Sequence, residues 1–486
     1  MLKPYIDECE KEALHLSGAI QAHGALLVTD EQFTISHFSA NIHDFLPTEM
    51  AIALATPLPL PLRDIVGGIG RDPGSRQQFE AALAVPRGAL DVVVSRGRQQ
   101  QLVIELTLAC EAVPAAAAFS GLLPAAGASQ LDQQRLALLV EVGTLTGFER
   151  VMYYRFLDDG DGEVLAEARQ EGVRGSYYGL RFPASDIPQI ARVLYQQNPW
   201  RLIADAQAGA VPIMGRDGLA PDLGYSDLRS VSPVHALYLS NMGVGASLSF
   251  PIVVGGRLWG LIACHHAQPR EVGLRELSLA AKEVRAHTLA LAGHFAQHRM
   301  QLLDGLVRRF SEARAMVHEA GDIVAAWPRL GPWLAAEFGA DGAQLCLNEG
   351  QVDWGDGFEP EVLACVDVHF LEQQIDPVWL VESLSRQVPD FPLSQVAGVL
   401  AVKAKTADGQ LLRVYLTRHE HIHEVAWGGN PDKPVERHDG VYGIAPRRSF
   451  EKWVEKRMGR CRQWDNEARL LGLKLRELVM QLDHGD

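Results

Sequence analysis

From about Gly273 to Val317 the sequence carries one uninterrupted helical pattern, and this stretch limits the folds open to the chain more than any other. Leu277, Ala281, Val284, Thr288, Leu291, Phe295, His298 and Leu302 recur in alternating steps of four and three, a seam suited to a partner helix. At ~1.5 Å per residue the helix runs on the order of 65 Å. A helix of that length leaves one domain and enters the next. Its first half can also bury on its own domain's sheet, and the whole suits the spine of a parallel homodimer.

The 486 residues fit about three domains of ordinary size. Before the spine, ALLVTD, FTISHFS, LDVVVSR and QLVIELTLAC have period-two strand character, while NIHDFL and SRQQFEAALA read as short helices. This suits a small antiparallel sheet with helices on one side. The Ala, Pro, Gly and Ser-rich stretch from Val113 to Ser129 marks a boundary, and an amphipathic helix runs from Leu131 to Gly147. The strand RVMYYRF follows, then a turn at Asp158 to Gly162. That turn lacks the remaining ligand positions of a calcium loop. The clustered Gly67, Gly68 and Gly70 likewise read as a turn, without phosphate-loop spacing.

A formal charge of -15 makes nucleic acid a poor partner, since an acidic surface repels phosphate. The chain has neither a signal-type apolar run nor an apolar stretch of membrane-spanning length, which reads as cytoplasmic. Its six cysteines form no CxxC and suit separate, reduced thiols.

Two segments concentrate chemistry. In RFPASDIP, Arg181 to Pro188, two prolines fence a short non-helical path that presents Asp186 just before the helix IPQIARVLYQQ. On these residues alone Asp186 also reads as that helix's N-cap. From Ser232 to His266 a helix around His235 leads into a hairpin turned by Gly255 and Gly256. Ser247 and Ser249 share one strand face, and Cys264, His265 and His266 end the returning strand. Adjacent strand residues point to opposite faces, which weakens a zinc reading of CHH. GASLS is not the GxSxG of a hydrolase. Arg201 and Arg229 are side chains of the type that binds carboxylates bidentately, or ordinary surface charges. In HEHIHE, His419, His421 and His423 alternate and would share a strand face, either as a metal site or, more simply, as the exposed face of a strand leading into VAWGGNPDKP. Cys9 stands among Asp7, Glu8, Glu10 and Glu12, where like charge disfavours a thiolate; alone it reads as an incidental thiol.

Taken together, PASDIP, the 232–266 hairpin and Cys9 eleven residues before Ile20 in GAIQAHG resemble the chromophore pocket of the bacterial phytochromes. QAHG stands where QPHG is usual. WGG and GIAPRRSF resemble the tongue of a PHY domain. The resemblance implies an α+β chain of three domains, each an antiparallel sheet with flanking helices: an N-terminal extension and PAS domain at 1–115, a GAF domain at 130–300 and a PHY domain at 301–486. Its tongue would span about 425–465, and a knot around Ile20 and a closing helix bearing Leu471, Leu475, Leu478 and Leu482 complete the plan.

The function so implied is a red/far-red photoreceptor, with biliverdin IXα bonded through Cys9 and isomerising at C15=C16. Asp186, with Ile187 beside it, and His235 would meet the pyrrole nitrogens, and His265 the ring D carbonyl. Tyr154, Phe182 and Tyr238 would surround ring D. Arg201, Arg229, Tyr195, Ser247 and Ser249 would hold the propionates. Arg447 would pair with Asp186, and Ser449 would replace it on photoconversion. The resemblance implies a homodimer, with output from a kinase-like module or response regulator and no enzyme in this chain. The alternatives are a non-photochromic GAF-type module for a small dark ligand, or a plain dimeric scaffold.

Overall fold

The computed structural model describes residues 12–110, 124–215, 218–348, 350–406, 409–431, 435–438, 441–444 and 450–481. Cys9, Arg447, Ser449 and Leu482 lie outside the described residues. The chain packs as two units, Met1–His294 with Ala426–Trp453, and Phe295–Val425 with Val454–Asp486.

In the first unit an N-terminal antiparallel sheet runs in the order Ala19–Ile20, Val211–Gly215, Ile35–Ser39, Gly24–Thr29, Leu102–Leu108, Gly88–Arg96 and Arg76–Val85. Strand alternation separates two cores. Leu27, Val92, Val94 and Ile104 pack with the helical residues Ile42, Leu62 and Val66. Leu26, Val28 and Val103 face the other way and meet Ile20, Leu223 and Leu228.

The expected helix over SRQQFEAALA is instead the edge strand Arg76–Val85. Gln, Glu and Ala favour a helix locally, but pairing with Gly88–Arg96 overrides that weak preference. A bulge between Phe79 and Leu83 marks the mismatch, with Ala81 at φ +45° and its N–H donating to Asp91 Oδ1 at 2.7 Å.

The knot around Ile20 takes a definite physical form. Ala19 and Ile20 pair with Pro212 and Val211 on one side, and Ile20 bridges Arg229 on the other. Gln21 anchors this crossing: its backbone donates to the Leu228 carbonyl at 2.8 Å, and its side-chain amide donates to the carbonyls of Leu202 at 2.8 Å and Asp227 at 3.1 Å.

The second sheet of this unit runs Arg201–Ile203, Ala246–Val254, Arg257–His266, Arg150–Phe156, Gly162–Arg169 and Arg181–Phe182, with Trp427 of the strand His423–Gly428 parallel beside Arg181. Gly255 and Gly256 take φ of +58° and +76°, the left-handed pair that a tight two-residue hairpin requires. Helix Ala128–Thr146 ends at Gly147, φ +67°. The spine helix is Leu274–Ala320, and its residues Leu277, Val284 and Leu291 are buried.

In the second unit, the sheet Gly350–Gly355, Gly342–Leu347, Leu411–His419, Val396–Lys405 and Val378–Val381 has a core on each face. Leu400, Val402 and Ala404 meet Leu306, Phe310 and Trp327 on one face, and Val399 and Ala401 meet Val366 and Phe370 on the other. Helix Asn466–Met480 is N-capped by Asp465 and buries Leu471, Leu475 and Leu478. The HEHIHE stretch does not lie on one strand: His419 ends Leu411–His419, His423 opens the next strand, and residues 420–422 belong to neither. Among the described residues no cluster of three or more His, Cys, Asp or Glu could hold a metal.

Replacing Gln21 by Ala leaves the buried Leu202 and Asp227 carbonyls short of a donor and is expected to lower unfolding stability by about 1–3 kcal/mol. Urea denaturation of the full chain measures it.

Candidate functional site

The fenced loop is held from outside itself. Ala184 N donates to Asp161 Oδ1 at 2.9 Å, and Arg192 donates to the carbonyls of Ile187 at 2.8 Å and Gly160 at 2.7 Å while lying over the Phe156 ring. The acidic turn at 158–162 is therefore the loop's clamp. The N-cap position of helix Gln189–Gln197 is Pro188, whereas Asp186 closes a separate short turn, Ala184–Asp186. The capping role is thus not the one Asp186 fills.

Asp186 instead faces a cavity with about 220 Å³ of water-accessible space, far beyond the ~10–15 Å³ that one water needs. Asp186, Ile187, Tyr154, Phe182, Tyr195, Arg201, Arg229, His235, Tyr238, Ser247, Ser249 and His265 all line it. The strand register explains one wall: Ser247 pairs with His265 and Ser249 with Ala263, so the three side chains and Ala263 share a face. Cys264 is buried on the opposite face, so the CHH triplet is divided as its alternation requires. Gly162 reports a tight fit, since a Cβ there would collide with the Tyr154 hydroxyl.

Arg229 is buried and Arg201 half-buried, near enough for their charges to repel. Arg201 donates to the carbonyls of Asp227, Arg229 (2.6 Å) and Ser230 (3.2 Å), and Arg229 donates to the carbonyl of Leu223 at 3.5 Å. Neither forms an ion pair with a described residue. Burial lowers the pKa of both, and the added repulsion from Arg201 brings Arg229 down to about 9. A pair so placed favours an anion in the cavity.

The same forces govern the histidines. Burial, with Arg201 nearby, pushes His235 down to about 4, and burial with Arg150 and His235 pushes His265 to about 3. Both are neutral at pH 7, each offering one donor and one acceptor. His265 Nδ1 is buried with no hydrogen-bond partner among the described residues. His235 stacks parallel to Tyr238, whose hydroxyl donates to Asp186 Oδ2 at 2.9 Å.

The tongue region reaches the same wall. The Phe450 ring meets Tyr238 edge-on at 5.1 Å, and a Cβ at Gly428 would press into the Phe182 ring. Tyr177, which sequence reading missed, meets the Phe182 ring edge-on and lies under Arg150. It sits in GSYYGL, whose only signal is a pair of aromatics between glycines.

Family models match in three successive regions, described as PAS fold over residues 9–69, GAF domain over 131–301 and Phytochrome region over 309–484. The chain is 32% identical to a bacteriophytochrome of Pseudomonas aeruginosa over 98% of its own length and 66% of that protein. It is 30% identical to a bacteriophytochrome of Xanthomonas campestris pv. campestris over 94% of its length and 76% of that protein. The chain belongs to the bacteriophytochromes. Its fold is similar to the crystal structure of a bacteriophytochrome from R. palustris, with a TM-score of 0.78 and 28% identity, covering 97% of this chain and 98% of that one. It is also similar to the Stigmatella aurantiaca phytochrome photosensory core module, with a TM-score of 0.75 and 28% identity over 97% of each chain. This bacteriophytochrome thus spans about two thirds of the Pseudomonas relative's length. Among its described residues no helix is long and apolar enough to cross a membrane.

The buried histidines make a pH prediction. In the unfolded chain an imidazole charges near pH ~6.5, so below that value the unfolded state binds protons that the folded state refuses. Their contribution to stability is complete above pH ~6.5 and is lost as pH falls through about 4 at His235 and about 3 at His265. Melting temperature against pH in the ligand-free chain is expected to be less steep below pH ~6.5 for His235→Gln and His265→Gln than for the parent.

Proposed function

We propose that this chain is a red/far-red light receptor, the photosensory core of a bacteriophytochrome, holding a linear tetrapyrrole, biliverdin IXα, bonded to Cys9. The observation that carries the reading is a cavity lined by two guanidiniums that form no ion pair with a described residue, together with Asp186 and two neutral histidines. A ligand with two carboxylates and a row of pyrrole nitrogens complements both walls, so the residues present fit the group. Cys9 stands three residues before Glu12, which lines the cavity.

When bound, biliverdin supplies visible absorption and a double bond that isomerises on excitation. The protein's part is to bind and orient. Arg201 and Arg229 receive the propionates with Tyr195, Ser247 and Ser249 around them. Asp186, with Ile187 beside it, would offer acceptors to pyrrole N–H groups, and His235, a neutral imidazole, would offer one donor and one acceptor beside them. His265, whose Nδ1 lacks a partner among the described residues, would meet the ring D carbonyl, and Tyr154, Phe182 and Tyr238 would surround that ring. Movement there would reach Phe450 through Tyr238, and Arg447 and Ser449 would exchange places as partners of Asp186. Light supplies the energy that biases the two states.

The signal passes along Leu274–Ala320 in a cytoplasmic homodimer to an output module or response regulator, and no reaction is assigned to this chain itself. Exposed Leu136 (49%) and Val140 (55%) on helix Ala128–Thr146, and Leu289 (70%) on the spine, offer apolar surface for the second copy.

The test is absorption of the purified chain with biliverdin before and after red light, with Cys9→Ala run on a denaturing gel under zinc-induced fluorescence. A reversible band shift, with fluorescence lost only in the variant, is expected. A light-insensitive spectrum would move the function to a dark small-ligand module. Leu136→Glu with Leu289→Glu is expected to convert a dimer to a monomer by light scattering.

A further inference from the structure

Glu105 lies on the strand Leu102–Leu108 of the N-terminal sheet, outside the cavity wall, yet its carboxylate is buried among groups that build that wall. Its Oε1 accepts from Ser226 Oγ and from Leu228 N, each at 2.7 Å. These two donors flank Asp227. The Asp227 carbonyl accepts from Arg201, its Oδ1 accepts from Leu202 N at 3.0 Å, and the next carbonyls, of Arg229 and Ser230, hold the rest of the Arg201 fork. One carboxylate oxygen therefore sets the path of the segment that grips Arg201 and carries Arg229.

Burying an acid is costly, and here the cost is only partly offset. Oε2 is buried with no partner among the described residues, and burial raises the pKa, opposed by the nearby Arg76 charge. Arg76 itself forms no ion pair with a described residue and lies over the Trp200 ring at 4.9 Å. A small cavity of about 40 Å³, lined by His23, Arg76, Glu105, Trp200 and Asp227 among others, gives room for a few waters beside Oε2. An apolar side chain would pack there at lower cost but could not hold two donors at one point.

We propose that Glu105 is a positioning residue for the anion-holding arginines Arg201 and Arg229, setting the affinity of the cavity for a ligand's carboxylates across a domain boundary. The inference rests on the tetrapyrrole reading of the cavity. It treats Glu105 as touching no ligand and acting only through Ser226, Asp227 and Leu228.

The test compares uptake of biliverdin with uptake of biliverdin dimethyl ester, which lacks the two charges, in the full chain and in Glu105→Leu. Loss of one charge-assisted anchor is expected to weaken biliverdin binding by about tenfold and ester binding by less than about twofold. Glu105→Gln, which keeps an acceptor oxygen, should recover most of the difference. Ser226→Ala removes one of the two donors and should show a smaller loss of the same selectivity, which decides the matter if Glu105→Leu does not fold. Equal losses on both ligands, or full selectivity in the variants, overturn the assignment of Glu105 alone. A parent chain that takes up neither ligand overturns the cavity reading, and this inference with it.

Discussion

Two guanidiniums taken out of water beside each other repel, and neither meets a carboxylate among the described residues. Backbone carbonyls do the holding: Asp227, Arg229 and Ser230 around Arg201, and Leu223 near Arg229. Neutral acceptors can satisfy the N–H groups of an arginine without cancelling its charge. The positive charge that remains, partly offset by the nearby Asp227 and Glu105, borders the cavity. This constraint explains why so much polar machinery lies behind the wall, from Gln21 at the crossing strand to Glu105 on the neighbouring sheet. Each fixes the carbonyls that keep the pair in place.

The opposite wall follows a different rule. Asp186 is useful only if its position is independent of its own helix, and the structure separates the two by ending the short turn at Asp186 and starting the helix at Gln189. Arg192, one turn into that helix, reaches back to the carbonyls of Ile187 and Gly160. The four residues between Pro183 and Pro188 are thereby held from both ends. The rigidity belongs to the clamp as much as to the prolines.

What the sequence made legible was local. The prolines of the loop, the paired glycines of the hairpin and the spacing of Ser247 and Ser249 specify conformations within a few residues, and each is where the pattern placed it. The failures are of the other kind. Arg76–Val85 carries helix-favouring residues and becomes a strand because Gly88–Arg96 offers it an edge, a partner that local preference does not weigh. Glu105 reads as the polar member of an alternating strand, and nothing nearby announces that Ser226 and Leu228, more than a hundred residues away, will bury it. HEHIHE failed because three alternating histidines were assigned one strand, while the chain breaks between His419 and His423.

Strand Arg150–Phe156 joins the cavity to the spine by alternation alone. Tyr154 faces the cavity, and its neighbour Tyr153, fully buried, points the other way and contacts His287 Nε2 on Leu274–Ala320 at 2.9 Å. Arg135 of helix Ala128–Thr146 lies over the same Tyr153 ring at 5.3 Å. Burial keeps His287 neutral, down at about 4, so this contact is a hydrogen bond between uncharged groups and has no salt-bridge strength to lose. Its value is directional. Consecutive residues of one strand thus carry a cavity-lining side chain on one face and a spine contact on the other. The Tyr153–His287 hydrogen bond therefore ties this strand to the spine helix with no charge crossing the sheet.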